Sequence, residues 1–157
     1  MSLSKKARIL IVDDHPLVRE GLWLRISSHK DLEVCGEAAS VSEALVLVQR
    51  EVPDLVTVDI SLGEGGNGLD LIRRLKIQGY AGKILALSAH DDALYAERSL
   101  KAGADGYISK SEAQSRTLDA IRMVLHGKLY LSATLSSQLI GRALGSPAPG
   151  PTNDLDR

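Results

Sequence analysis

Ile9–Val12, Leu55–Val58 and Ile84–Leu87 are nearly unbroken runs of Ile, Leu, Val and Ala. A strand without polar alternation must be covered on both faces, which is the signature of a buried parallel sheet. Two further short runs, Leu32–Gly36 and Gly106–Ile108, are strand-like as well. Between the runs lie segments whose apolar residues recur every three or four positions. Leu17, Gly21, Leu24 and Ser28 form one row, with Val18, Leu22, Arg25 and Ile26 beside it. Ala44, Leu47 and Val48 form a second stripe, Leu69, Ile72 and Leu75 a third, and Leu118, Ile121 and Leu125 a fourth. Ser40-Val41-Ser42-Glu43 and Ser111-Glu112-Ala113-Gln114 fit capping boxes, and Gly79, Gly103 and Gly127 stand where helices should stop. Five strands alternating with five helices predict an α/β fold with one parallel sheet and right-handed crossovers.

A chain of 157 residues suits one domain with a short extension. Formal charge is −1, so no bulk polycation is present to hold nucleic acid by its phosphates. Aromatic residues are few, with no Phe, four Tyr and the single Trp23, which argues against a base-stacking platform. Cys35 is the one cysteine, which excludes an internal disulfide and a cysteine zinc cluster and reads as an inert packing thiol. No apolar run approaches the roughly 20 residues that span a bilayer, and no signal peptide is evident, so a cytoplasmic protein without membrane contact is expected. Residues 1–7 read as a short lead, and residues 131–144 as a further C-terminal helix. Residues 145–157, with Pro147, Pro149 and Pro151, read as a linker.

In an open parallel sheet, ligands bind beyond the carboxyl ends of the strands. Asp13 and Asp14 stand there after the first strand, Asp59 after the third, Ser88 after the fourth and Lys110 after the fifth. Each has a plainer reading: Asp14 as a helix cap, Asp59 or Ser88 as a turn residue, Lys110 as a solvated surface lysine. Three carboxylates converging on one edge would repel one another. A divalent cation relieves that repulsion, and all-oxygen ligands favour Mg²⁺ over zinc. His15 reads as an exposed residue at a helix start and less readily as a neighbour of that site. His29, His90 and His126 show no ligand spacing, Asp91-Asp92 reads as a cap for the fourth helix, Glu64 as a loop charge and Trp23 as partly buried.

Ile9-Leu10-Ile11-Val12-Asp13-Asp14-His15-Pro16-Leu17-Val18-Arg19-Glu20-Gly21-Leu22 resembles the opening of receiver domains in bacterial two-component response regulators, of the NarL/FixJ (LuxR-type) subgroup in particular. Asp54-Leu55-Val56-Thr57-Val58-Asp59-Ile60, Leu87-Ser88-Ala89 and Lys101-Ala102-Gly103-Ala104-Asp105-Gly106-Tyr107-Ile108-Ser109-Lys110 extend the resemblance over residues 8–130. It implies a flavodoxin-like doubly wound sheet of strand order 2-1-3-4-5. It also implies that Asp59 accepts a phosphoryl group from a sensor histidine kinase. Asp14, Asp59 and the carbonyl of Ser61 would hold Mg²⁺, with Asp13 acting through a water. Lys110 and Ser88 would meet phosphoryl oxygens, and Tyr107 would rotate to report the change to the face formed by helix four, strand five and helix five. The implied output is a helix-turn-helix that binds DNA and regulates transcription, for which nothing after Pro151 codes; a homodimer on phosphorylation is also implied.

The chain departs from the receiver pattern in two places. The loop Ser61–Gly68 lacks a Met-Pro pair, is one residue longer and carries four glycines, which predicts mobility. Ser111 follows Lys110 where many receivers have proline, so a cis bond is not expected there. Three other readings compete. An aspartate-nucleophile phosphohydrolase usually carries an acid two positions after the nucleophile, where this chain has Ser61. A flavodoxin-like cofactor binder is opposed by Asp13 and Asp14, which would repel a phosphate. A docking or dimerisation receiver that needs no phosphorylation is opposed by the intact set of five residues.

Overall fold

The computed structural model of the chain describes residues 5–62, 67–89 and 93–145. Five parallel strands, β1 (Ala7–Val12), β2 (Leu32–Ala38), β3 (Leu55–Asp59), β4 (Lys83–Ser88) and β5 (Gly106–Ser109), form one sheet in the order β2-β1-β3-β4-β5. Helices α1 (Pro16–Ser27) and α5 (Lys110–Leu125) cover one face. Helices α2 (Val41–Glu51), α3 (Gly68–Ile77) and α4 (Ala93–Ala102) cover the other. The unbroken apolar runs explain this layering. Ile9, Ile11, Leu55, Leu85, Leu87 and Ile108 pack toward α1 and α5, while their neighbours Leu10, Val12, Val56, Val58, Ile84 and Ala86 pack toward α2, α3 and α4. Chain progression reverses direction between β1 and β3, and that reversal opens a crevice at their carboxyl ends.

Helix ends follow local chemistry, with two corrections. Ser40 caps α2, its Oγ accepting from the Glu43 amide at 3.2 Å; Glu43 returns to the Ala39 amide at 2.7 Å, one residue earlier than a standard box. Ser111 caps nothing, because α5 already begins at Lys110 and its N-cap is Ser109; Ser111 Oγ lies 3.0 Å from Ser109 Oγ instead. Among the described residues no peptide bond is cis. Gly79, Gly103 and Gly127 all take positive φ at helix ends, as expected. The second correction concerns α1. Leu22 and Ile26 are its buried residues, whereas Leu17 and Leu24 of the row first singled out are 80% and 65% exposed. Both rows keep helical spacing, and only the one aimed at Ile9 and Ile11 meets the sheet. The further C-terminal helix exists as α6 (Ala133–Ala143), capped by Ser132 and packed on α4 through Leu135 and an Arg142–Glu97 ion pair of 2.6 Å. The Pro-rich segment after Gly145, the glycines at 63, 65 and 66, Glu64, His90 and Asp91-Asp92 lie outside the described residues. Among those described, no helix is long and apolar enough to cross a membrane.

Candidate functional site

Asp13 follows the last residue of β1 and Asp59 is the last residue of β3, so parallel pairing of these neighbouring strands brings the two carboxylates side by side. Each uses one oxygen to shape its own loop. Asp13 Oδ1 accepts from the His15 amide at 2.9 Å, and Asp59 Oδ1 accepts from the Ser61 amide at 3.0 Å. That leaves both Oδ2 atoms facing Lys110, whose Nζ lies 3.3 Å from Asp59 and 3.5 Å from Asp13. Lys110 is placed there because β5 ends at Ser109 and α5 starts immediately after it. Asp14 does not cap α1; the N-cap is His15, with Pro16 at the first helical position. Arg19 steadies the loop from behind by donating to the Asp13 carbonyl at 2.7 Å and to Glu37 at 3.0 Å.

Asp13 and Asp59 are 2% and 1% exposed, so charge there is poorly solvated. Burial pushes the Asp59 carboxyl above the usual carboxylate range, and the neighbouring Asp13 adds to the rise; the Ser61 amide and Lys110 pull against it. Asp59 Oδ2 and Asp14 Oδ1 are buried with no hydrogen-bond donor. Three carboxylates therefore share one ammonium in a half-closed crevice. Oxygen donors, buried lone pairs and excess negative charge together make this cluster compatible with a divalent metal ion.

Of the remaining expected residues, Ser61 lies directly beyond Asp59 with its side chain exposed. Ser88 is fully buried at the end of β4, beside Asp59 across the β3–β4 pairing. Tyr107 is fully buried on β5 and shares an apolar cluster with Ala93 and Ala96 of α4 and Leu135 of α6. Cys35 is a half-buried free thiol, raised mainly by burial, and Trp23 is 38% exposed. Two participants were not legible as such. His15 is exposed, as expected, yet its Nδ1 lies 3.0 Å from Asp13 Oδ1 and 3.1 Å from Asp14 Oδ1. Gly68 opens α3 against β3, where an added Cβ would overlap the Asp59 carbonyl oxygen and Ile60 Cα.

Residues 9–122 match the response regulator receiver domain family, and the chain belongs to it. Its relatives are of the NarL/FixJ (LuxR) subgroup. The chain is 33% identical over 139 residues to the nitrate/nitrite response regulator protein NarL of Escherichia coli K12, covering 88% of this chain and 64% of NarL. It is 39% identical over 131 residues to the transcriptional activator protein ExaE of Pseudomonas putida, covering 83% and 61%. A LuxR-family two-component response regulator from Aurantimonas sp. SI85-9A1 superposes with a TM-score of 0.82 at 32% identity, covering 89% of this chain and 99% of that one. The NarL receiver domain of Mycobacterium tuberculosis gives 0.74 at 28% identity, covering 79% and 99%. The chain spans less than two thirds of the length of NarL and ExaE.

Proposed function

We propose that this receiver domain is a phosphorylation switch in which Asp59 is the phosphoacceptor. The observation that carries the reading is Asp59 itself, a buried carboxylate at the sheet's reversal point with one oxygen left without a hydrogen-bond donor. In the reaction an Asp59 oxygen attacks the phosphorus of a phosphohistidine on a sensor kinase. A P–O bond forms, the P–N bond breaks, and the freed imidazole takes up a proton. Asp14, Asp59 and the Ser61 carbonyl would hold Mg²⁺, with Asp13 acting through a water, and the ion would neutralise charge on the transferring group. Lys110 pairs with one phosphoryl oxygen and Ser88 donates to another.

The acyl phosphate brings roughly −1.5 to −2 charges and three acceptor oxygens to one point. A shift from 1:99 to 99:1 needs about 5.5 kcal/mol of differential interaction, and a few charge-assisted bonds at about 1.5–3 kcal/mol each suffice. Tyr107, between β5 and α4, is the side chain that passes the change to the face formed by α4, β5 and α5. The output is a DNA-binding, transcription-regulating partner domain of the kind the relatives' names imply, and homodimerisation accompanies activation. The domain acts as a cytoplasmic phosphoacceptor rather than as an enzyme on outside substrates.

Intact-mass spectrometry after incubation with acetyl phosphate tests this, with and without Mg²⁺ and beside Asp59→Asn. One phosphoryl adduct that needs both Mg²⁺ and Asp59 is expected. Folded protein without an adduct across several small phosphodonors would return the chain to a docking role.

A further inference from the structure

We infer that His15 turns the acidic crevice into a mixed nitrogen–oxygen site, which takes a borderline divalent transition-metal ion through His15 Nδ1 in competition with Mg²⁺. This rests on the metal assignment of the proposed function and extends it to which ions the crevice accepts. His15 Nδ1 lies 3.0 Å from Asp13 Oδ1, 3.1 Å from Asp14 Oδ1 and 4.0 Å from Asp59 Oδ2. One donor atom from each of the four residues fits within 4.8 Å of all the others. Donors around a four-coordinate ion with bonds of about 2.0–2.2 Å lie roughly 3.3–3.6 Å apart, so these spacings bracket such an arrangement. Asp59 is 1% exposed, and its Oδ2, which faces this space, has no hydrogen-bond donor.

His15 is also held in place. It is the N-cap of α1 in extended conformation, its amide is tied to Asp13 Oδ1, and Pro16 fixes the next turn. The imidazole, with its side chain 61% exposed, therefore hangs over the mouth of the crevice. Chemistry separates the ions. Mg²⁺ prefers oxygen and retains waters, which leaves positions for phosphoryl oxygens. Imidazole favours Co²⁺, Ni²⁺, Cu²⁺ and Zn²⁺. An ion held by Asp13, Asp14, Asp59 and His15 together has a closed four-ligand set, with no position for a phosphoryl group. Such an ion inhibits phosphorylation instead of supporting it.

Co²⁺ is the probe, because its visible absorption and its paramagnetically shifted imidazole proton resonances report nitrogen ligation directly. Titration calorimetry of the 157-residue chain with Co²⁺ and, separately, with Mg²⁺ gives the affinities for the native sequence, His15→Gln and Asp14→Asn. The expected result is Co²⁺ binding with a shifted imidazole resonance, weakened roughly 10–100-fold and stripped of that resonance in His15→Gln. Mg²⁺ affinity should change less than about twofold in His15→Gln, and both ions should be weakened in Asp14→Asn. Co²⁺ binding indifferent to His15, or an equal loss for both ions, would overturn the inference and leave the phosphoacceptor reading intact. If the native sequence binds Co²⁺ through His15 but does not bind Mg²⁺, the nitrogen ligand stands and the Mg²⁺ assignment fails. If it binds neither ion, both are overturned.

Discussion

At the amino ends of the strands Asp31, Asp54 and Asp105 each sit against a donor, whereas at the carboxyl ends Asp13, Asp14 and Asp59 share one ammonium. Arg122 grips Asp31 with two bonds of 2.9 and 3.0 Å. Asp54 Oδ2 accepts from the Arg8 amide at 2.8 Å, and Asp105 Oδ2 from the Ile84 amide at 2.9 Å. Arg8 itself binds both the carbonyl and the carboxylate of Glu51. The consequences run in opposite directions: Arg122 holds the Asp31 carboxyl below the usual range, while burial holds Asp59 above it. An aspartate at a strand end is thus no signal by itself. What marks the functional end is acid left without donors in a place where water cannot compensate.

Breaking the functional end sterically should have the largest effect. Gly68→Ala drives a methyl group into the backbone of Asp59 and Ile60, which cannot swing aside as a side chain would. A loss of about 3 kcal/mol is expected in urea unfolding, at the top of the usual overpacking range. Phosphoryl uptake should fall with it. A cost under about 0.5 kcal/mol would mean that β3 and α3 separate easily there. Next in size, saturating Mg²⁺ should stabilise the native sequence by about 2.7 kcal/mol at 100 times its dissociation constant. Asp14→Asn should lose most of that gain in the same thermal scans, while Asp54→Asn should keep it.

Removing the under-paired charge should then reverse the usual sign of a buried substitution. Asp59→Asn relieves an acid that lacks a donor on Oδ2, and without divalent ions it should raise stability by about 1–2 kcal/mol. Because the folded protein raises the Asp59 pKa, it holds a proton at pH values where the unfolded chain has released one. That contribution is fully present below the ordinary value of 3.8 and is lost as pH rises through the folded pKa. A stability–pH profile of Asp59→Asn should accordingly lack that decline above 3.8. An unchanged slope would assign the decline to another group.

Fold and site were legible to different depths. The strands could be read because β1, β3 and β4 carry runs that only a doubly covered sheet accommodates, and strand ends then located Asp13, Asp14, Asp59, Ser88 and Lys110. Which row of α1 faces inward was not legible, since Leu17–Leu24 and Leu22–Ile26 both keep helical spacing and only tertiary packing chooses between them. The start of α5 was misplaced at Ser111 because a good capping pattern was outweighed by where β5 ends. His15 escaped because its imidazole reaches Asp13 and Asp14 only through the extended N-cap conformation ahead of Pro16. Gly68 escaped because its closeness to Asp59 arises from α3 docking on β3, a long-range event with no local signature.

The smallest expected effect completes the contrast at the satisfied end. Arg122 pairs with Asp31 across α5 and the turn before β2, and its side chain also lies 3.1 Å from His29 Nδ1. The Asp31 side chain is 57% exposed, so solvent screens the pair, and Arg122→Ala should cost only about 0.2–1 kcal/mol. The sign of its pH dependence is opposite to that of Asp59. The lowered Asp31 pKa contributes stability that is present above 3.8 and lost as pH falls through the folded pKa, so Arg122→Ala should flatten the acid limb of the profile. Salt should shrink the difference between Arg122→Ala and the native sequence, because exposed charges beyond a Debye length of about 8 Å are screened at physiological ionic strength. It should leave the Asp59→Asn gain nearly intact, because that carboxylate is buried. Equal salt sensitivity of the two differences would mean that the ends of the sheet are electrostatically alike, and that the orphaned oxygen of Asp59 is reached by water after all.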